Sequence, residues 1–441
     1  VTESLYSHLS EFNCPQGAQS KEKERADLIF VSYLQSLGIR GEVIGVDEAI
    51  GVMYKTGSIK KRPGPAFVRL GATKEQVYDT EEFWSIYDGL LSGENPEVIF
   101  GAAWKEELRK VGKPLRWIFM ADALHALVGV RLFSDFFDKL LSLHPIQESA
   151  VGMSMEHYGA QLFMNFFELS DSLNDALLEA DFSRFDHSCK RLDLWVIKDC
   201  LKPLLLLSED DLHLYEWWWD QLTTPLLQLY DGTVVQLDNG NMSGNYLTVW
   251  INTFNNLRFW MCAHVHHGGL PTLENFRAMH KFKVYGDDTL GKSRLTLDDV
   301  ARSSKDFGYD IKCEFKKVSD ATFLKRKFLY FKPFGAFVPV HEDPIKAVAS
   351  LVLKSTGSPT DLMSQIGSLL RLHWFNREVR PILMNAASIL LALYPGDLGL
   401  RKLYGSQIPN ASSIMHYYLG LEIGTSNLLK KPVDIEDNTE I

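Results

Sequence analysis

Three stretches of this chain carry residue types that could do chemistry together. Tyr285-Gly286-Asp287-Asp288 stands among β-forming residues in Lys281-Phe-Lys-Val-Tyr-Gly-Asp-Asp-Thr-Leu290. Upstream, Asp181-Phe-Ser-Arg-Phe-Asp186 is a second carboxylate pair. Between them runs Gly240-Asn-Met-Ser243-Gly244-Asn-Tyr-Leu-Thr248-Val-Trp-Ile-Asn252. Alone, Gly-Asp-Asp is most often a solvated turn, and Asp-x4-Asp says less still. Two carboxylates converging from separate strands are different. They are a minimum donor set for Mg²⁺, which takes carboxylate oxygens, keeps some waters and fills its remaining positions with substrate phosphates. Paired cations of this kind serve in-line phosphoryl displacement by stabilising the attacking and leaving oxygens. The protein's share of such chemistry is mostly positioning and charge neutralisation.

The elements that must hold these residues can be read from pattern. Residues 176–182 read as a strand delivering Asp181, and 281–292 as a β-hairpin with Gly286-Asp287-Asp288 at its turn. Gly240-Asn241 ends a polar loop, and the spacing of Leu247, Trp250, Ile251 and Phe254 predicts a helix after it. Roughly the first 170 residues mix short helical and irregular stretches around a Gly/Pro/Lys-rich loop at Lys55–Pro65. Residues 192–230 are Leu- and Trp-rich. The run Trp217-Trp218-Trp219 suits buried helix packing better than base stacking. Beyond Gly335 the pattern is mostly helical, notably at 359–372 and 377–393, and the tail from Val433 is acidic and reads as disordered.

Composition sets wider bounds. At 441 residues, 46% hydrophobic and 23% charged, the chain has the make-up of a globular protein with a sizeable core. Its net charge of −10 argues against a surface coated for nucleic acid, but an internal basic channel is compatible with an acidic exterior. Basic segments recur at Lys55–Arg62, Lys105–Arg116, Lys312–Lys317 and Lys325–Lys327. Five scattered cysteines without CxxC spacing predict free thiols in a reducing compartment. The cluster Cys262-Ala-His264-Val-His266-His267 lacks a second ligand group and reads as packed or solvated histidines at a helix end. No apolar run reaches membrane-span length, and Val1-Thr-Glu-Ser does not resemble a signal peptide. The start without Met suits either a truncated chain or a product released from a polyprotein.

Taken in order, these motifs resemble those of viral RNA-dependent RNA polymerases of the picornavirus-like supergroup, which includes picornaviruses, caliciviruses and astroviruses. Asp181-x4-Asp186 looks like motif A, in wording nearest to astrovirus-like sequences; Gly240–Asn252 looks like motif B, and Tyr285–Asp288 is similar to motif C. Lys105-Glu-Glu-Leu-Arg109 resembles motif F, and Phe307-Gly308-Tyr309 with Lys316 (or, in another register, Lys317) resembles motif D. Phe323-Leu324-Lys325-Arg326 matches motif E. The likeness runs from about Lys105 to Arg326, half the chain. The sequence departs from it in a short motif F, in Met242 where picornaviruses commonly have proline, and in a template-channel motif reduced to Thr56-Gly57 and Gly64-Pro65.

The resemblance implies an α+β, right-handed polymerase of fingers, palm and thumb, with an antiparallel palm sheet and a helical thumb. It places an N-terminal extension and fingers at 1–175, palm at 176–191, a fingers insertion at 192–230, palm at 231–334, and thumb with acidic tail at 335–441. Asp181, Asp287 and Asp288 would hold two Mg²⁺ or Mn²⁺ ions. Lys105, Arg109, Lys113 and Arg116 would hold triphosphate, since arginine grips phosphate oxygens bidentately. Asp186, Ser243, Gly244, Thr248 and Asn252 would form the ribose pocket. A carboxylate and an amide beside a ribose can bond its 2′-hydroxyl, the mark of RNA; reverse transcriptases, otherwise similar here, carry an aromatic gate where Asp186 stands. Lys316 would protonate the leaving pyrophosphate. Phe323, Leu324, Lys325 and Arg326 would support the primer end. The implied partners are template and nascent RNA, ribonucleoside triphosphates and other viral replication proteins. The implied place is the host cytoplasm, at membranes reached through those proteins.

Overall fold

A computed structural model describes Leu9, Phe12 and residues 20–104, 116–169, 175–332, 335–343, 348–349, 351 and 357–419. The chain forms two compact units. One comprises Val1–Val151, Ala180–Thr289 and Ser293–Cys313; the other comprises Gly152–Glu179, Leu290–Lys292 and Glu314–Ile441.

The strands are, in chain order, β1 (Gly41–Glu42), β2 (Ile99–Trp104), β3 (Trp117–Met120), β4 (Ala176–Phe182) and β5 (Leu205–Leu206). They continue as β6 (Leu226–Gln228), β7 (Val234–Gln236), β8 (His280–Tyr285) and β9 (Asp288–Ser293). The last four are β10 (Ile311–Lys317), β11 (Thr322–Phe323), β12 (Arg326–Phe331) and β13 (Ala336–His341). One four-stranded sheet has the order β3-β2-β6-β7, with β2 antiparallel to β3 and parallel to β6. A second has the order β10-β4-β9-β8, and its strands supply residues to both units. Only Gly286 and Asp287 separate β8 from β9, a connection that allows antiparallel pairing alone.

In the first unit, helix Thr248–His266 is buried along nearly its whole length, from Trp250 to Val265. Such a helix has no solvent face, so its polar residues Asn252, Thr253, Asn255, Asn256 and Arg258 must all find partners inside the protein. Helix Glu209–Thr223 starts at a reciprocal Ser208–Asp211 capping box and carries Trp217, Trp218 and Trp219 into the core. Trp218 stacks on His125 at 4.5 Å, and each donates from its ring nitrogen to the other's backbone carbonyl. These tryptophans are packing residues, each worth several kcal/mol of buried apolar surface by the usual area scale (about 1.5–3 for a large side chain).

In the second unit, β11, β12 and β13 form an antiparallel sheet. Helices Pro359–Leu372, Val379–Leu393 and Leu398–Gln407 close around Met363, Ile366, Leu370, Leu383 and Leu400. Helix Ala411–Leu419 packs Ile414, Met415 and Tyr418 with Phe331, Val338 and Phe375.

The structure departs from the sequence reading in three places. The N-terminal region holds long helices, Lys21–Ser36 and Ala123–Leu141, together with β2 and β3, rather than short irregular pieces. The region after Gly335 opens with β13 before turning helical. Pro339 lies within that strand, which the sheet tolerates because β13 is an edge. The hairpin turn is Gly286-Asp287 alone, and Asp288 already belongs to β9. The acidic tail lies outside the described residues.

Candidate active site

The site is built where β4 ends against the β8–β9 turn. The Phe182 N–H donates to the Asp287 carbonyl at 3.4 Å, so Asp181 and Asp287 sit on adjoining backbones. Both side chains are exposed while Phe182, Val284 and Leu290 around them are buried. Alternation along β4 explains this: Leu178, Ala180 and Phe182 face the core and Asp181 faces away.

The turn itself is clamped from beneath by helix Thr248–His266. Gly286 has φ +59°, a conformation that costs an ordinary side chain and is free to glycine. Its N–H donates to Thr253 Oγ1 at 2.9 Å. Asn256 Nδ2 donates to the Gly286 carbonyl at 2.9 Å and to that of Asp288 at 3.4 Å. Asn256 Oδ1 in turn accepts from Thr289 Oγ1 at 2.8 Å and Trp260 Nε1 at 2.9 Å. A single buried amide thus fixes both flanks of Asp287. Thr253 and Asn256 were not singled out from sequence, although polar residues inside so apolar a helix were a usable signal.

Asp186 reaches the same place by a different route. After β4, the Ser183 N–H bonds the Asp310 carbonyl at 2.8 Å, and Arg184 takes the left-handed conformation at φ +54°. That reversal starts the one-turn helix Phe185–Ser188 and brings Asp186 Oδ1 against Nδ2 of Asn252. Burial pushes the Asp186 carboxyl above the usual range, and the nearby Asp287 charge adds to it. The Asn252 hydrogen bond and Arg116 oppose that rise. A cavity of about 240 Å³ opens here, lined among others by Arg116, Asp186, Ser243, Thr248, Asn252 and Asp287.

The Gly240–Asn252 stretch supplies another wall. Ser243 Oγ accepts the Phe119 N–H at 3.0 Å, and Gly244 bridges to Met120 on β3. A Cβ on Gly244 would lie 2.0 Å from the Phe119 carbonyl oxygen, so only glycine permits this approach. Thr248 starts the helix with its hydroxyl donating to the carbonyls of Met242 and Asn245 at 3.1 and 2.9 Å.

The structure therefore gathers Asp181, Asp186, Asp287, Ser243, Thr248, Asn252 and Arg116 in the first unit. Asp288 continues from the turn and is half-buried. Lys105, Arg109 and Lys113 lie outside the described residues; of the basic run, Arg116 is described and exposed. In the second unit, Lys316 is bound to Glu179 at 2.9 Å and Glu314 at 2.8 Å. Partial burial lowers its ammonium pKa, and the bonds and charges of these two carboxylates more than offset that and raise it. Phe323 is buried and packs on Phe163, whereas Lys325 is exposed at the tip of its hairpin. The histidines after Cys262 have structural partners: His264 bonds His280 and the Leu270 carbonyl, His266 Asp306, and His267 Asp299.

Among the described residues, no group of three or more acidic, histidine or cysteine side chains is placed to hold a metal ion. The exposed carboxylates of Asp181 and Asp287, on touching backbones, offer an open set of hard oxygen donors instead. That set fits Mg²⁺, which commonly uses one or two protein carboxylates and leaves its other positions to water and phosphate. Four described cysteines, Cys189, Cys200, Cys262 and Cys313, are free thiols. Among the described residues, no helix is long and apolar enough to cross a membrane.

The model of the family described as viral RNA-dependent RNA polymerase matches residues 87–342, more than half of the chain. The non-structural polyprotein 1AB of Mink astrovirus 1 is 26% identical over 310 residues, covering 66% of this chain and 21% of the polyprotein. That of Avian nephritis virus 1 is 29% identical over 210 residues, covering 44% of this chain and 13% of the polyprotein. The chain thus spans about a fifth of the first polyprotein and less of the second. A solved structure, the Sicinivirus 3Dpol RNA dependent RNA polymerase, superposes with a TM-score of 0.70 at 16% identity, over 90% of this chain and 86% of that one. The fold is therefore that of a viral polymerase, and the motif order agrees with the region matched: this chain belongs to the viral RNA-dependent RNA polymerase family.

Proposed function

We propose that the chain performs template-directed RNA synthesis, extending nascent RNA from ribonucleoside triphosphates in the replication and transcription of a viral genome. The observation that carries this reading is the cavity in which the Asp186–Asn252 pair lies beside the Asp287 turn. Asp181 and Asp287, with Asp288 assisting, are the residues that would hold two Mg²⁺ or Mn²⁺ ions; bound there, such ions supply charge neutralisation on the transferring phosphate. The chain's own contribution is to align the 3′-hydroxyl and the incoming nucleotide. Asp186, Ser243, Gly244, Thr248 and Asn252 receive the ribose. A site built to bond a hydroxyl rejects the analogue lacking it, because its polar groups are then left unpaired. Arg116, with Lys105, Arg109 and Lys113, holds the triphosphate. Lys316 gives up a proton to the leaving pyrophosphate once released from Glu179 and Glu314. Lys325 and Arg326 contact the primer strand, with Phe323 anchoring their hairpin and Leu324 shaping its turn.

Fingers at 1–175 and 192–230, palm at 176–191 and 231–334, and thumb at 335–441 remain our assignment of the regions. We place the activity in the host cytoplasm, with membranes reached through other replication proteins. The test is primer extension on a defined RNA template with Mg²⁺, comparing the parent with Asp287→Ala. We expect template- and metal-dependent ribonucleotide addition that falls by about 100-fold or more in the variant, the scale of losing one preorganised charge-stabilising group. Equal extension by both proteins would overturn the assignment of the site.

A further inference from the structure

Three asparagines form a directed chain that ends at Asp186. Asn241 is fully buried, Asn245 is 6% exposed and Asn252 is 8% exposed, so each amide must be satisfied from within. The chain starts at backbone groups whose donor and acceptor identities are unambiguous. Asn245 Oδ1 accepts the Leu247 N–H at 2.7 Å, and its Nδ2 donates to the Met242 carbonyl at 2.7 Å. That orientation makes Asn245 Nδ2 the donor to Asn241 Oδ1, again at 2.7 Å. Asn241 must then present Nδ2 onward, and it donates to the Thr248 carbonyl at 3.0 Å and to Asn252 Oδ1 at 2.9 Å. With its oxygen so engaged, Asn252 can offer only its NH₂ to Asp186 Oδ1. Rotating any one amide by half a turn would set oxygen against oxygen or NH₂ against NH₂ at both of its ends.

We infer that Asn241 and Asn245 are positioning residues for ribose recognition: they lock the amide of Asn252 so that it occupies one oxygen of Asp186 and leaves the other to accept a sugar hydroxyl. This rests on the reading of Asp186 and Asn252 as the ribose-facing pair. The Asn241 backbone takes part as well, since its N–H donates to the Asp186 carbonyl at 2.7 Å. One residue thereby fixes the main chain of Asp186 directly and its side chain through Asn252. Neither asparagine lines the cavity, so neither is placed to touch the nucleotide.

The test compares single-nucleotide addition of ribo- and deoxyribonucleoside triphosphates, taking the ratio of their kcat/KM values. Asn241→Asp keeps shape but removes both donors, and its carboxylate repels Asn252 Oδ1 and favours the flipped amide. We expect the ribo-to-deoxy ratio to fall about tenfold or more through a raised ribonucleotide KM, the scale of losing one to two kcal/mol of hydroxyl recognition. Asn245→Asp retains the acceptor for Leu247 N–H but loses the donor to Asn241, and should give a smaller fall in the same ratio. A merely structural role would lower both substrates' rates together and leave the ratio alone, and that result in either variant, with a normal melting transition, overturns the relay. Asp186→Asn and Asn252→Ala separate the two levels of the argument. If they lower the ratio and Asn241→Asp does not, the relay is wrong; if they leave it unchanged, the ribose reading itself is wrong.

Discussion

Two of the described hairpins turn in two residues, and they solve the problem in opposite ways. The β8–β9 hairpin uses Gly286, for which a positive φ costs nothing, and ties the turn to a buried helix through Thr253 and Asn256. The β11–β12 hairpin puts Leu324 and Lys325 at φ +52° and +60°, the conformation of a primed turn, without glycine at either position. Its tip is secured by the Glu342 N–H on the Lys325 carbonyl and by Phe323 and Phe328 packing on Phe163. In the first, local freedom is removed by partners and the backbone carries no strain. In the second, a bulky residue held left-handed stores strain of order 1–2 kcal/mol that its packing must outweigh. The difference suits the tasks proposed: one turn must hold a carboxylate to a fraction of an ångström, whereas the other need only hold a cation out toward a phosphate chain.

The largest expected effect comes from cutting the first turn loose. Asn256→Leu fills a similar volume but takes the Asn256 donor from the Gly286 and Asp288 carbonyls and the shared acceptor from Thr289 Oγ1 and Trp260 Nε1, which keep only their bond to each other. Unsatisfied buried groups cost about 1–3 kcal/mol each, and partial repacking should leave a net loss of about 2–3 kcal/mol. Misplacing a reacting group by about 1 Å can cost on the order of 100-fold in rate, so kcat should drop by about tenfold or more while the nucleotide KM moves less. Chemical denaturation and single-turnover extension read the two effects separately. A stability loss with unchanged kcat would mean that the helix supports the hairpin without aiming Asp287.

How much of this was legible in the sequence follows from the same contrast. Asp181, Asp186, Asp287 and Asn252, which the fold brings together, were legible because residue types at fixed offsets suggested the chemistry, and the strand Ala176–Phe182 was legible although Leu177, buried beside Leu178, breaks strict alternation. The groups that hold these residues were harder to read. Thr253 and Asn256, which clamp the turn, were flagged only by being polar within an apolar helix, and Asn241 and Asn245, which lead to Asp186, look like surface amides until the burial of the loop that carries them is known. β2 and β3 were missed because the basic run between them breaks the strand pattern. β13 was missed because Pro339 reads as a strand breaker unless the strand is known to be an edge. Leu324 and Lys325 carry no turn signal at all: tertiary contacts impose a conformation that local preference opposes.

Substitutions at the two turns should therefore have opposite signs. Gly286→Ala forces a Cβ into a left-handed position and should destabilise by about 1 kcal/mol. Nothing stands within 4 Å of that Cβ, so the cost is conformational and not steric. Leu324→Gly removes strain at the price of extra freedom in the unfolded chain, and should stabilise by about 0.5–1 kcal/mol. Thermal midpoints of the two variants, measured side by side, give the comparison directly. Two shifts of the same sign would remove the distinction between a relaxed turn and a strained one.

The smallest effect concerns the two hairpins' lysines. Lys325 is exposed, but Lys283 on β8 is fully buried and donates to the carbonyls of Pro145, at 2.6 Å, and Gln147. Burial pulls the Lys283 ammonium down to about 7, with the Glu148 charge opposing. A neutral amine keeps two N–H groups, enough for both carbonyls, so the proton can leave without breaking the contact. Between pH 7 and the ordinary lysine value of about 10.5, the unfolded chain then binds more protons than the folded one, and stability from this group rises with pH. Below pH 7 both states are protonated and the contribution is flat. Lys283→Met removes the titration, so the stability of the parent relative to this variant should increase from pH 6.5 to 8.5 in urea denaturation. Lys325→Met, at the exposed tip, should leave that difference flat over the same interval. If both lysines gave flat curves, the buried ammonium would be solvated in practice, and the rigidity ascribed to the first hairpin would have to rest on Thr253 and Asn256 alone.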